Sequence, residues 1–146
     1  MNKLSGIFLL LGAFCFGQQN QEIEKPIRNL FQAMKNTDTA LMKSVFTENA
    51  VLQTVTKDGT VKSDSIQDFI TSVSKFSKGD LDERIVIEAI HTDGNLASVF
   101  TPYSFYLKEK LLHCGANSFQ LVKQNNEWKI QYIIDTRRKD KCKEIQ

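Results

Sequence analysis

The sequence predicts an α+β domain in which helices pack on one face of a curved antiparallel sheet. Two observations carry this. Helical periodicity is confined to the first half of the chain, up to "SKGD" at 77–80, and everything beyond reads as long strands joined by tight turns. No repeat, low-complexity stretch or interdomain linker divides the 146 residues, so they hold one core.

The N-terminus stands apart from that domain. Lys3 precedes the apolar run Leu4–Phe16, and the polar "QQNQEIEK" begins abruptly after Gly17. One positive charge, a short apolar core and a small residue before the polar break predict a secretory signal peptide over residues 1–17. The run is shorter than the roughly 20 residues a membrane-spanning helix needs. It also lacks the polar face of a surface helix. Phe14 precedes Cys15 where a lipoprotein signal would place a small residue, so lipidation is not expected. The expected product is an exported protein, periplasmic or secreted, with a domain over 18–138 and a basic tail over 139–146.

Within the domain, Ile23, Ile27, Leu30, Phe31 and Met34 form one helical stripe. Asp38 can cap a second, short helix whose inner residues are Leu41, Met42, Val45 and Phe46. Ala50–Val55 reads as a strand, "KDG" as a turn and "TVK" as a short return strand. Asp64 with Gln67 has the form of a capping box, and Ile66, Phe69, Ile70, Val73 and Phe76 share a face of the third helix. Four strand runs follow: "ERIVIEAIH", "LASVFTPYSFYL", "LLHCGANSFQLV" and "EWKIQYIID". Their turns fall at Thr92–Asn95, Lys108-Glu109 and Asn125-Asn126.

If those turns close as two-residue loops, Asn117 pairs with Phe100, Phe119 with Tyr132, Leu121 with Ile130 and His113 with Ser104. The helix-covered face then carries Phe100, Ser104, His113, Asn117, Phe119 and Tyr132 among apolar neighbours. The opposite face carries Val99, Thr101, Tyr103, Phe105 and Ile133, which is too apolar to be left to water. A homodimer formed by Val99, Tyr103, Phe105 and Ile133 is therefore expected. A bulge in any strand would exchange the two lists beyond it.

Charge and cysteine usage exclude several classes. The net charge of +2 falls to +1 once Lys3 leaves with the leader, which carries no acid. Nothing so balanced steers a protein to nucleic acid. Cys114 and Cys142 remain after the leader departs. Two cysteines make neither a zinc site nor, at this spacing, a redox motif. They are either a disulfide or two independent thiols. No metal or cofactor is expected.

The order helix, helix, strand, strand, helix and four long strands, with "HCGANSFQLVKQNNEWKI" and "LASVFTPYSFYL", resembles the nuclear transport factor 2-like superfamily. That superfamily includes SnoaL-like and ketosteroid-isomerase-like proteins. "LMKSVFTENAVLQTVTKDGTVKSDSIQDFI" is similar to the front half of a bacterial group described as lumazine-binding. The likeness spans roughly Glu22–Asp135. It implies a cone: a curved antiparallel sheet, made of a four-strand meander and a short hairpin, wrapped around three helices. Isomerase-type members place an acidic base in the cone, with an acidic or tyrosine donor opposite. In the register above no carboxylate falls on the concave face, and Asp135 and Arg137 fall outside it. Dehydratase-like members use buried histidines with an aspartate, and here only His113 can look into the mouth.

His113 and Cys114 are strand neighbours that point to opposite faces, so they cannot act together as base and nucleophile. His113 is either a lone acid or base in the pocket or a rim residue bonded to Ser104. Asn117 either bonds a helix backbone or points at a ligand. The expected function is binding of a small apolar or aromatic molecule in the cone, without a catalytic constellation. The ligand would lie among Phe31, Phe100, Ser104, His113, Asn117, Phe119 and Tyr132. Two alternatives stand beside this. One is a cofactor-free isomerase, cyclase or dehydratase using His113, and the other is a protein-binding adaptor with a filled cone. No nucleic acid, and no membrane after leader removal, is expected as a partner.

Overall fold

A computed structural model describes residues 10–145. Residues 1–9 of the predicted leader lie outside the described residues. Helix α1 (Leu10–Asn36) passes unbroken through Gly17, the predicted cleavage point. Among the described residues no helix is long and apolar enough to cross a membrane.

The predicted stripe is the buried face of α1: Ile23, Ile27, Leu30 and Met34 all lie in the core, joined by Ala33. Helix α2 (Thr39–Ser44) starts at Asp38, whose Oδ1 accepts the Leu41 N–H at 3.0 Å. Helix α3 (Ile66–Val73) is capped one residue later than the sequence suggests. Ser65 Oγ accepts the Asp68 N–H at 3.0 Å and donates to Asp68 Oδ2 at 2.7 Å. Asp64 is unavailable for that role because it ends a strand, pairing with Leu52.

The strands are β1 (Phe46–Val55), β2 (Val61–Asp64), β3 (Leu81–Ile85), β4 (Ala89–Asp93), β5 (Leu96–Leu107), β6 (Lys110–Gln124) and β7 (Glu127–Thr136). They form one curved, unclosed sheet in the order β2-β1-β7-β6-β5-β3, with β4 also on β5, and the helices fill its concave side. Two features depart from the expected meander. β1 runs parallel to β7, so the sheet is mixed. The run "ERIVIEAIH" is broken at 86–88 into β3 and β4, which pair with different ends of β5.

The turns at Lys108-Glu109 and Asn125-Asn126 are two-residue loops with positive φ at both positions, and near them the expected register holds: Leu121 faces Ile130. Farther along, one extra residue enters each hairpin. Leu112 bulges from β6 and Gln131 from β7. Gln131 has a reason to bulge, because β1 leaves β7 between Phe46 and Val51. There its side chain accepts from Thr47 Oγ1 at 2.9 Å and donates to the Asn49 carbonyl at 3.2 Å. Each bulge turns the residues beyond it to the other face.

Three pairings are therefore corrected: His113 faces Phe105, Asn117 faces Thr101, and Phe119 faces Ile133. The expected dimer face is corrected with them. Val99 (2% exposed), Tyr103 (2%) and Ile133 (4%) are buried, with Val99 and Ile133 in the helix-packed core and Phe105 packed against it. Phe100, Ser104 and Tyr132 turn to the outer face.

The C-terminal tail crosses that outer face. Cys114 is bonded to Cys142 with Cα atoms 5.6 Å apart, and Cys114 and Arg138 exchange both backbone hydrogen bonds at 2.9 Å. Ser104 Oγ donates to the Lys143 carbonyl at 2.6 Å, which explains why a serine on the outer face is fully buried.

Candidate functional site

The bulges gather polar groups on the concave face. One ladder row runs Thr101–Asn117–Asp135, and another runs Glu83–Phe105–His113. Directly paired residues share a face, so these side chains converge under the helices. Between sheet and helices lies a cavity of about 410 Å³. Met34, Leu52, Phe69, Val73, Leu81 and Phe105 supply apolar wall; Glu83, His113, Asp135 and Arg137 supply polar groups from the sheet, and Asp64, Asp68 and Ser72 from the side of β2 and α3. A mostly apolar cleft with a few convergent polar groups is the usual form of a small-molecule site.

Asn117 Nδ2 donates to Glu83 Oε1 at 2.9 Å and lies 3.4 Å from Thr101 Oγ1. Burial pushes the Glu83 carboxyl up to about 7, against the Asn117 hydrogen bond, with Asp135 raising it further and Arg137 lowering it. Arg137 donates through Nε to Asp135 Oδ2 at 2.9 Å and through Nη2 to Thr54 Oγ1 at 3.1 Å. The other Asp135 oxygen, Oδ1, is buried without a hydrogen-bond partner in a residue only 8% exposed. Leaving a buried acceptor unpaired costs about 1–3 kcal/mol, so this atom calls for a donor.

His113 is half-buried, stacked on Phe105 at 4.8 Å and edge-on to Tyr103 at 5.7 Å. Burial, and then the Arg137 charge, hold its pKa below 6.5, so the ring is neutral in neutral solution. The Tyr103 hydroxyl donates to the Thr136 carbonyl at 2.8 Å, and burial pushes its pKa up.

Of the residues expected to surround a ligand, His113 lines the cavity and Asn117 bonds a residue that does. Among the described residues, Asn117 bonds side chains and no helix backbone. Phe119 is fully buried in the core and meets Phe31 edge-on at 6.2 Å. The placements of Phe100, Ser104 and Tyr132 are corrected. Phe100 is 42% exposed outside, Ser104 is under the tail so it cannot bond His113, and Tyr132 donates to Gln53 Oε1 at 2.7 Å. Glu83, Asp135 and Arg137 are the residues that sequence reasoning missed. For Glu83 a signal was present: Leu81 and Ile85, two residues either side, make it a carboxylate in an apolar row. Among the described residues no group of three or more His, Cys, Asp and Glu could hold a metal ion.

Residues 18–132 match the model of a family described as "putative lumazine-binding". The chain belongs to this family. Solved structures show that the chain has the nuclear transport factor 2-like fold. A nuclear transport factor 2-like protein of unknown function from Shewanella baltica OS155 is 17% identical with TM-score 0.71, covering 86% of this chain and 98% of that one. Another, from Silicibacter pomeroyi DSS-3, is 13% identical with TM-score 0.71, covering 84% and 98%. A protein from Novosphingobium aromaticivorans described as a "putative aromatic ring hydroxylase" is 18% identical with TM-score 0.68, covering 84% and 90%. At such identities the likeness carries the fold alone. No curated protein matches this chain.

Proposed function

We propose that this chain binds a small molecule with an apolar body in the cone, anchored by a hydrogen-bond donor at Asp135 Oδ1 beside the Glu83 carboxyl. The carrying observation is a 410 Å³ cavity lined by Asp135 and Glu83, in which one Asp135 oxygen is buried without a partner. The family description is consistent with it, because a lumazine ring is a flat heteroaromatic with an imide N–H to donate. An open cavity also favours a binder over an adaptor with a filled cone. The test is native mass spectrometry of protein purified from its own host, with lumazine titrated into emptied protein. A retained small molecule whose affinity falls about tenfold or more in Asp135→Asn, the loss of a charged hydrogen bond, supports the reading. Binding unchanged in that variant moves the site elsewhere.

A second reading is favoured by Glu83. A carboxyl held near 7 can take and return a proton at neutral pH, as a cofactor-free isomerase requires. In this reading Glu83, rather than His113, is the acid or base. Tyr103 is not the opposing donor, because its one proton is committed to Thr136. Solvent deuterium incorporated into the retained molecule by wild type and not by Glu83→Gln would establish it.

Export belongs to the same proposal. The Lys3 and Leu4–Phe16 pattern supports cleavage near Gly17, and a Cys114–Cys142 bond suits an oxidising compartment. N-terminal sequencing of protein from the native host decides it, and cytosolic material starting at Met1 would refute it.

A further inference from the structure

Outside the acidic cavity lies a basic mouth. A second cavity, of about 850 Å³, shares Leu112, His113 and Arg137 with the first, and its remaining wall is Lys57, Arg138, Lys139 and Asp140. We propose that this mouth is an anion subsite, so that the ligand is a small acid. Its apolar body fills the cone, its donor meets Asp135, and its carboxylate or phosphate is held by Lys57, Arg138 and Lys139. This rests on the binding reading above and adds the chemical class of the ligand.

The fold builds the subsite from sequence-distant parts. β1 and β7 run parallel, with Thr54 beside Asp135 and Val55 beside Thr136. The residues that continue them, Lys57 on one side and Arg137–Lys139 on the other, therefore emerge together at one rim. The segment is fixed there: Arg138 is paired with Cys114 through the backbone, and its Nη1 donates to the Asp140 and Lys141 carbonyls at 2.7 Å each. The Cys114–Cys142 bond anchors the chain just beyond.

The charges do not cancel. Arg137 is matched by Asp135 at 2.9 Å. Lys57, Arg138 and Lys139 then face Asp140 alone, and none of the three forms an ion pair with another side chain among the described residues. Leu112, the bulged residue of β6, lies where the two cavities join and is 42% exposed. A ligand passing from cone to mouth would cover it. Asp135 lines the cone and Lys139 the mouth, so the ligand must be long enough to reach from one cavity into the other, and a two-ring aromatic acid is a suitable probe.

The test uses three probes in isothermal titration against the whole chain: 6-hydroxy-2-naphthoate, its methyl ester, and the monophosphate of 2,6-dihydroxynaphthalene. The naphthoate is expected to bind about tenfold more tightly than the ester, as two partly exposed charge contacts allow, with the advantage shrinking as salt rises. Lys57→Gln with Lys139→Gln should remove most of the naphthoate's advantage, Arg138 alone remaining, and leave the ester unchanged. Both lysines are exposed, so the double variant should keep the fold. A phosphate that binds more tightly than the naphthoate assigns a phosphate ligand, and the reverse assigns a carboxylate. Equal binding of acid and ester by wild type, or an acid advantage that the double variant leaves undiminished, overturns the anion subsite alone. Failure of all three probes to bind overturns the cavity reading and this one with it.

Discussion

Glu83 is raised from 4.5 to about 7, so between those values the folded chain holds a proton that the unfolded chain has released. Its contribution therefore turns unfavourable as pH rises through that window and stays so above it. The full penalty is on the order of 2–3 kcal/mol. His113 acts in the opposite sense: held below 6.5, it subtracts stability as pH falls through that value. The two overlap, so the informative quantity is a difference between variants. Glu83→Gln keeps the oxygen that Asn117 bonds and cannot ionise. It should match wild type near pH 4 and exceed it in urea denaturation at pH 8 by about 2–3 kcal/mol. An equal fall with pH in both proteins would remove Glu83 as its source.

At the scale of the element, β6 carries the most constraint. A methyl group on Gly115 would strike the Thr136 backbone carbonyl, the group that receives the Tyr103 hydroxyl. Gly115 is thus a close approach of two backbones. Gly115→Ala should force β7 away from β6 and lower the melting temperature sharply, while a variant as stable as wild type would refute the contact. One residue along, the disulfide closes a 28-residue separation. In the chain-entropy model it stabilises by about 3–4 kcal/mol, and Cys142→Ser should lose that amount. Two alkylated thiols in unreduced protein from an oxidising compartment would show that the bond does not form. The bulges at Leu112 and Gln131 belong to this scale as well. Neither residue is a glycine or otherwise marked, so nothing local announces them. What selects Gln131 is Thr47 and Asn49, more than eighty residues away.

For the whole molecule, the homodimer proposal moves to the outer face. Phe100 (42% exposed) and Val51 (42%) sit there with Tyr132 and Ile134, and Leu96 (47%) extends the patch along β5. Burial would contribute about 25 cal/mol per Å² of apolar area before association costs. Phe100→Lys is expected to give monomers in sedimentation velocity where wild type gives dimers. A wild type that stays monomeric at high concentration ends the proposal.

The sequence by itself determined the helical stripe at Ile23–Met34, the cap at Asp38, the two-residue turns and the α+β class. Each depends on neighbours within a turn or two, where periodicity and capping chemistry are read directly. Only the tertiary structure decided that Asp135 and Arg137 face the cone while Phe100, Ser104 and Tyr132 face out; His113 and Asn117 lie on the helix-covered face that the sequence register assigned them. Side chains alternate with a period of two, so one extra residue in a strand reverses every assignment beyond it. The choice to bulge is made by partners on distant strands. That is why Asp135 and Arg137 became visible as site residues only once β1 and β7 were placed around the same cavity, whereas Glu83 already stood in an apolar row of the sequence.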